Sequence, residues 1–261
     1  MKTVNISLLL LLLATLNISS SIAGNWNILS QKPRQKGALL DITLRNYCEA
    51  WRINVELNNI RDFVVVPNEC TDFVRKYVTS IQYEIDSQRA IDEATVFIST
   101  NIGLKKDGKD AWIFDIDDTL LSTVPYYKKH QFGGEKLNKT DLEEWMSKGN
   151  APAITSSLKL FNDLKGRGVQ IFLLSSRREI LRSATIDNLV DVGYYGWTNL
   201  ILRGEGDEDK SAEEYKTGIR KQLNRVGYRI WGIVGDQWSS LNGFPSAKRT
   251  FKLPNPLYFV A

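Results

Sequence analysis

The hydrophobic pattern changes character near residue 110. Before it, Phe73, Val74, Tyr77, Ile81 and Ile85 recur at helical spacing, and Ala90, Ala94, Phe97 and Ile98 continue the series. That spacing predicts one long helix or two joined ones over residues 71–102, with Thr71 near the N-cap. Residues 41–61 carry apolar positions around Cys48, Trp51 and Val55 without a clear period, and residues 24–40 read as a loose arm. From Ala111 onward, short apolar runs alternate with amphipathic stretches. Ala111–Phe114, Gln170–Leu174, Asn199–Leu202 and Arg229–Val234 read as buried strands. Between them, Ile154, Leu158, Phe161 and Leu164 share a helical face, and a second helix over 179–192 ends at Gly193. Ser211-Ala212-Glu213-Glu214 has the form of a capping box, followed by Tyr215, Ile219 and Leu223 at helical spacing. The alternation predicts an α/β fold, a Rossmann-like parallel sheet with helices on both faces. Residues 121–152 are polar, aromatic and irregular, and fit a small cap inserted over the sheet edge. The expected division is 1–23 leader, 24–110 helical N-terminal extension and 111–261 core.

Composition narrows the compartment more than the fold. Met1-Lys2, the apolar run Leu8–Leu13 and Ser21-Ile22-Ala23 have the layout of a secretory signal cleaved after Ala23. The apolar stretch Val4–Leu16 is shorter than the about 20 residues of a membrane span, so no membrane segment is expected in the mature form. The final Tyr258-Phe259-Val260-Ala261 is not a retention signal. The 2 cysteines, Cys48 and Cys70, favour a disulfide in an oxidising compartment, with two separate buried thiols as the alternative. Asn138-Lys139-Thr140 is a sequon in a polar stretch, a plausible glycan site. Net charge is +4 and the densest basic cluster is Arg177-Arg178, which argues against nucleic-acid binding.

The segment Phe114-Asp115-Ile116-Asp117-Asp118-Thr119 carries the chemistry. Side chains alternate along an extended backbone, so Asp115, Asp117 and Thr119 leave the strand end on one side. Paired carboxylates repel and lose solvation there unless a cation offsets them. The plainer alternative is an acidic turn, or a helix start capped by Thr119 or Asp118. In parallel sheets ligands bind beyond the C-terminal strand ends. Asp115, Ser175 and Asp236 each close a predicted strand, and Lys216 lies early in the helix before the fourth. With a single histidine, His130, and no Gly-x-Ser-x-Gly elbow, phosphohistidine, dinuclear-metal and Ser-His-Asp chemistries are disfavoured.

Together these elements resemble the haloacid dehalogenase superfamily. Asp115, Asp117 and Thr119 match its first motif, Ser175 its second, Lys216 its third and Gly235-Asp236 its fourth. Trp112-Ile113-Phe114-Asp115, Gly235-Asp236-Gln237-Trp238-Ser239 and the ending Phe251-Lys252-Leu253-Pro254-Asn255-Pro256-Leu257-Tyr258 are similar to plant acid phosphatases and vegetative storage proteins, a class B-like group. Relatives commonly carry an Asp four positions after the one matched by Asp236; here that position is Ser240.

The resemblance implies a secreted or vacuolar acid phosphatase, in cell wall or vacuole, acting on small phosphate monoesters, or a storage protein on the same scaffold. It assigns Asp115 as nucleophile and Asp117 as acid and base. It implies Mg²⁺ on Asp115, the main chain of Asp117 and Asp236, hard oxygen donors that suit this ion. Ser175 and Lys216 would bind the phosphoryl group, Thr119 would support them, and Arg177 would add a phosphate contact. A homodimer is left open.

Overall fold

Strand β1 (Asp110–Phe114) is buried at every position, because it lies at the centre of a parallel sheet covered on both faces. The computed structural model describes residues 43–100 and 103–261, so the expected leader and the arm over 24–40 lie outside the described residues. β2 (Gln170–Arg178), β3 (Asn199–Arg203) and β4 (Arg229–Gly235) stand where the apolar runs predict them. β2 runs four residues beyond Leu174, carrying Ser175 within the strand rather than after it. A fifth strand, β5 (Arg249–Lys252), pairs in parallel with β4, and the order is β3-β2-β1-β4-β5. Only Phe251 of β5 is fully buried, so this edge strand has no hydrophobic signature in the sequence.

Alternation along the strands builds two separate cores. Trp112, Phe114, Ile171 and Leu173 face one side, against Ile91, Ala94 and Ile98 of α3 (Ile81–Thr100) and Leu160, Phe161 and Leu164 of α6 (Thr155–Gly166). Leu189 of α7 (Arg182–Asp191) joins that layer. Ala111, Ile113, Phe172 and Leu174 face the other, against Tyr215 and Leu223 of α8 (Ala212–Arg225) and Leu241 of α9 (Trp238–Leu241). Gly232 of β4 admits the Trp112 ring, which lies 2.3 Å from where a Cβ would stand.

The N-terminal extension is α1 (Leu44–Glu56), α2 (Thr71–Val78) and α3. Helix α1 corrects the expectation of an unpatterned 41–61. Its buried residues Cys48, Trp51 and Val55 are three or four apart and form one face, too few anchors among polar residues to stand out. Thr71 is the first residue of α2 and not its cap, its hydroxyl donating to the Asn68 carbonyl at 2.9 Å. Cys48 and Cys70 are joined, with Cα atoms 5.3 Å apart, which excludes the separate-thiol alternative. Closing a loop of 22 residues stabilises by about 3 kcal/mol in the chain-entropy model. Because α3 belongs to the main core, residue 110 is not a seam of packing: Leu44–Ala261 form one unit.

The insertion is pinned at its base. Ser122 N–H donates to Pro152 O at 2.8 Å, and Ile154 N–H to Leu120 O at 2.8 Å. Within it, α4 (Val124–Tyr127) and α5 (Lys139–Ser147) cover the C-terminal sheet edge, and Tyr126, Tyr127 and Phe132 pack with the disulfide-linked helices. Among the described residues no helix is long and apolar enough to cross a membrane.

Candidate active site

Past Phe114 the chain folds into a tight loop in which the Ile116 carbonyl accepts from the N–H groups of Thr119, Leu120 and Leu121, at 3.2, 2.8 and 2.9 Å. This loop holds Asp115 at the floor of a cavity of about 790 Å³. Asp115 is 7% exposed. Its Oδ1 accepts from the Ile116 N–H at 2.8 Å. Its Oδ2 accepts from Lys216 Nζ at 2.5 Å and Ser240 Oγ at 2.6 Å. Lys216 reaches it from α8, whose start is set by the capping box: Glu214 N–H donates to Ser211 Oγ and Ser211 N–H to Glu214 Oε2. Ser240 is more than a missing carboxylate. Its hydroxyl donates to Asp115 while accepting from Lys216 at 2.8 Å, closing a three-membered network.

Asp236 closes β4 beside this network and is buried. Burial, and then the Asp115 carboxylate, push its pKa up from the usual carboxylate range. Its Oδ2 accepts from Asn255 Nδ2 at 2.7 Å, Gln237 Nε2 at 3.0 Å and the Tyr258 hydroxyl at 3.1 Å. Its Oδ1 has one distant donor, the Thr119 hydroxyl at 3.4 Å.

Asp117 stands at the cavity wall, gripped by the Arg177 fork: Nη2 lies 2.7 Å from Oδ1, and Nε lies 3.2 and 3.1 Å from the two oxygens. Arg177 Nη1 donates to Thr185 Oγ1 at 3.0 Å, and its side chain is 1% exposed. Arg177, the expected phosphate contact, lines the cavity, and its guanidinium pairs with Asp117 and Thr185. Ser175 lines the cavity, buried, its Oγ accepting from the Arg177 N–H at 3.1 Å. Arg178 is half exposed and bridges Glu143 and Glu208.

Sequence reasoning missed several members. Asp118 caps no helix; it takes a left-handed conformation (φ 46°), is fully buried, and accepts from the Thr123 hydroxyl and, at 2.9 Å, from the Tyr258 hydroxyl. Burial, and then Asp236, raise its pKa. Asn255 and Tyr258 carried no local signal of a role. His130 stacks on Tyr126 at 4.3 Å and pairs with Glu135 and Asp141, outside the cavity lining. Asn138 is exposed and caps α5, its Oδ1 accepting from the Thr140 and Asp141 N–H groups at 3.1 and 3.3 Å.

Among the described residues no group of three or more His, Cys, Asp or Glu side chains is placed to hold a metal. The donor set here is smaller: the carboxylates of Asp115 and Asp236, near enough that the first raises the pKa of the second. Mg²⁺ is ordinarily held by one or two carboxylates, with water and substrate phosphate completing its shell. Asp236, buried among neutral donors with a sparsely bonded Oδ1, fits that role.

Comparison with known proteins agrees with this geometry. Residues 37–261 match the model of HAD superfamily, subfamily IIIB (Acid phosphatase). The chain is 42% identical to Acid phosphatase 1 of Solanum lycopersicum, over 82% of this chain and 83% of that one. It is 39% identical to Vegetative storage protein 2 of Arabidopsis thaliana, over 100% and 99%. In fold it is similar to a class C acid phosphatase from Bacillus anthracis with tungstate bound, TM-score 0.61 at 19% identity, covering 72% of this chain and 85% of that one. The chain thus belongs to the HAD superfamily, in the acid phosphatase subfamily IIIB.

Proposed function

We propose that this protein is a Mg²⁺-dependent phosphatase that hydrolyses small phosphate monoesters through an aspartyl-phosphate on Asp115. The supporting observation is the floor network, in which one buried carboxylate is aligned by Lys216, Ser240 and the Ile116 N–H beneath an open cavity. Lys216 offsets the repulsion between Asp115 and an incoming phosphoryl anion, and the Ser175 hydroxyl is placed to donate to a phosphoryl oxygen. Asp115 attacks phosphorus as the ester P–O bond breaks, and Asp117, in the molecules where it is protonated and released from the Arg177 fork, gives its proton to the leaving oxygen. Asp117 then takes a proton from water, which cleaves the acyl phosphate, releases phosphate and restores Asp115. Asp115, the Asp117 carbonyl and Asp236 would hold Mg²⁺, which would supply positive charge against the phosphoryl oxygens. Cap residues Tyr127, Leu142 and Met146 line the cavity above the floor, an apolar wall suited to the leaving group.

Hydrolysis of a generic phosphate monoester by the purified protein, lost on chelation and restored by Mg²⁺, is the expected result. A folded protein inactive on every monoester at every Mg²⁺ concentration would replace this reading with storage, as the names of two relatives suggest.

The same reading places the protein in the secretory pathway, in cell wall or vacuole, and makes Asn138 a glycan acceptor. Asn138 is exposed, and its Oδ1 caps α5. Protein purified from a eukaryotic secretory host is expected to carry a glycan mass that Asn138→Gln removes. An unmodified mass in the unaltered protein would exclude the site.

A further inference from the structure

The segment after β5 turns back across the sheet edge and ends at the site. Asn255 is 2% exposed: Nδ2 donates to Asp236 Oδ2 at 2.7 Å, Oδ1 accepts from the Leu257 N–H at 2.9 Å, and its own N–H donates to Glu56 Oε1 at 2.8 Å. Glu56, at the end of α1, also pairs with Lys252 at 2.7 Å, and its carbonyl accepts from Trp238 Nε1 at 3.0 Å. Three residues on, Tyr258 stacks on Tyr127 at 5.3 Å, and its hydroxyl lies 3.1 Å from Asp236 Oδ2 and 2.9 Å from Asp118 Oδ2, so its single proton is shared between them. Gln237 joins them, its Oε1 accepting from the Val260 N–H at 3.1 Å. Every strong donor to Asp236 thus falls on one oxygen, and two of the three come from this C-terminal segment.

We propose that Asn255 and Tyr258 are positioning residues that occupy Asp236 Oδ2 and thereby turn Oδ1 toward the cation. A carboxylate held on one oxygen by Asn255 and Gln237, with the Tyr258 hydroxyl shared with Asp118, cannot rotate without breaking those bonds, so its other oxygen is presented in one direction. Partners of this kind orient a ligating group and typically carry 10–100-fold in metal affinity. The inference rests on the reading of Asp236 as a cation ligand. It also gives the disulfide-linked helices a route to the site, because Glu56 of α1 holds the Asn255 backbone.

The test is calorimetric titration of the intact mature protein with Mg²⁺ alone, for the unaltered chain, Asn255→Ala and Tyr258→Phe. Both variants are expected to bind Mg²⁺ about 10-fold or more weakly. In hydrolysis, the Mg²⁺ concentration for half-maximal rate should rise by the same factor, more than the Mg²⁺-saturated rate falls. Tyr258→Phe keeps the ring stacked on Tyr127 and decides the matter if Asn255→Ala does not fold. Unaltered Mg²⁺ affinity in the folded variants overturns the positioning role and leaves the phosphatase reading standing. An unaltered chain that binds no Mg²⁺ while hydrolysing monoesters overturns it too, and one that does neither removes both readings.

Discussion

Asp115→Asn is expected to lower the turnover of phosphate monoesters by about 10⁴- to 10⁶-fold, the scale for losing a covalent nucleophile. The amide is nearly isosteric with the carboxylate and keeps one acceptor. With its oxygen toward Lys216 and Ser240 it keeps both hydrogen bonds, but it loses the contact to the Ile116 N–H and the charge pairing with Lys216. Removing the charge also relieves the repulsion that raises the Asp236 pKa, so the fold should survive. Circular dichroism should match the unaltered protein, and acid quench of a single turnover should trap no phosphoenzyme. Turnover near the unaltered rate would exclude Asp115 as nucleophile.

Lys216→Met should cost both catalysis and stability. Lys216 is 4% exposed, and among the described residues its ammonium is the one cation in contact with Asp115. Without it, Asp115, Asp236 and Asp118 lie buried together with only neutral donors in contact. Breaking a buried ion pair in this way typically costs about 3–5 kcal/mol, because the remaining charge stays desolvated. Thermal unfolding in chelator should therefore shift well downward. Mg²⁺ should recover part of the loss, since it offsets the same carboxylates and binds only the folded state. The rate at saturating Mg²⁺ should remain about 10²-fold or more below the unaltered enzyme, the scale for removing one donor aimed at developing charge. An unchanged melting temperature in chelator would show that the Lys216–Asp115 pair contributes nothing to the fold.

Much of this protein is legible in one dimension because its signals are local. Four strands are runs of apolar residues, α8 announces its start through Ser211 and Glu214, and Asp115, Ser175 and Asp236 lie at or near the C-terminal ends of strands whose polarity follows from the alternation with helices. The period of a side-chain pattern is a property of the backbone, so it survives without knowledge of neighbours. Helix α1 and strand β5 had too few buried positions to show a period. They form because the disulfide and the edge of β4 hold them.

What the tertiary structure alone decided is how each polar group is spent. Arg177 reads as a phosphate contact, and the fold gives its fork a partner in Asp117, 60 positions earlier. Ser240 reads as a lost carboxylate, yet it completes the bond network between Lys216 and the nucleophile, 125 positions from Asp115. Asp118, Asn255 and Tyr258 have no motif spacing, and they meet only because the chain after β5 returns to the edge where β1 and β4 end. Hydrogen bonds are short-ranged and directional, so partners far apart in sequence are chosen by the path of the backbone in space, which no local pattern records.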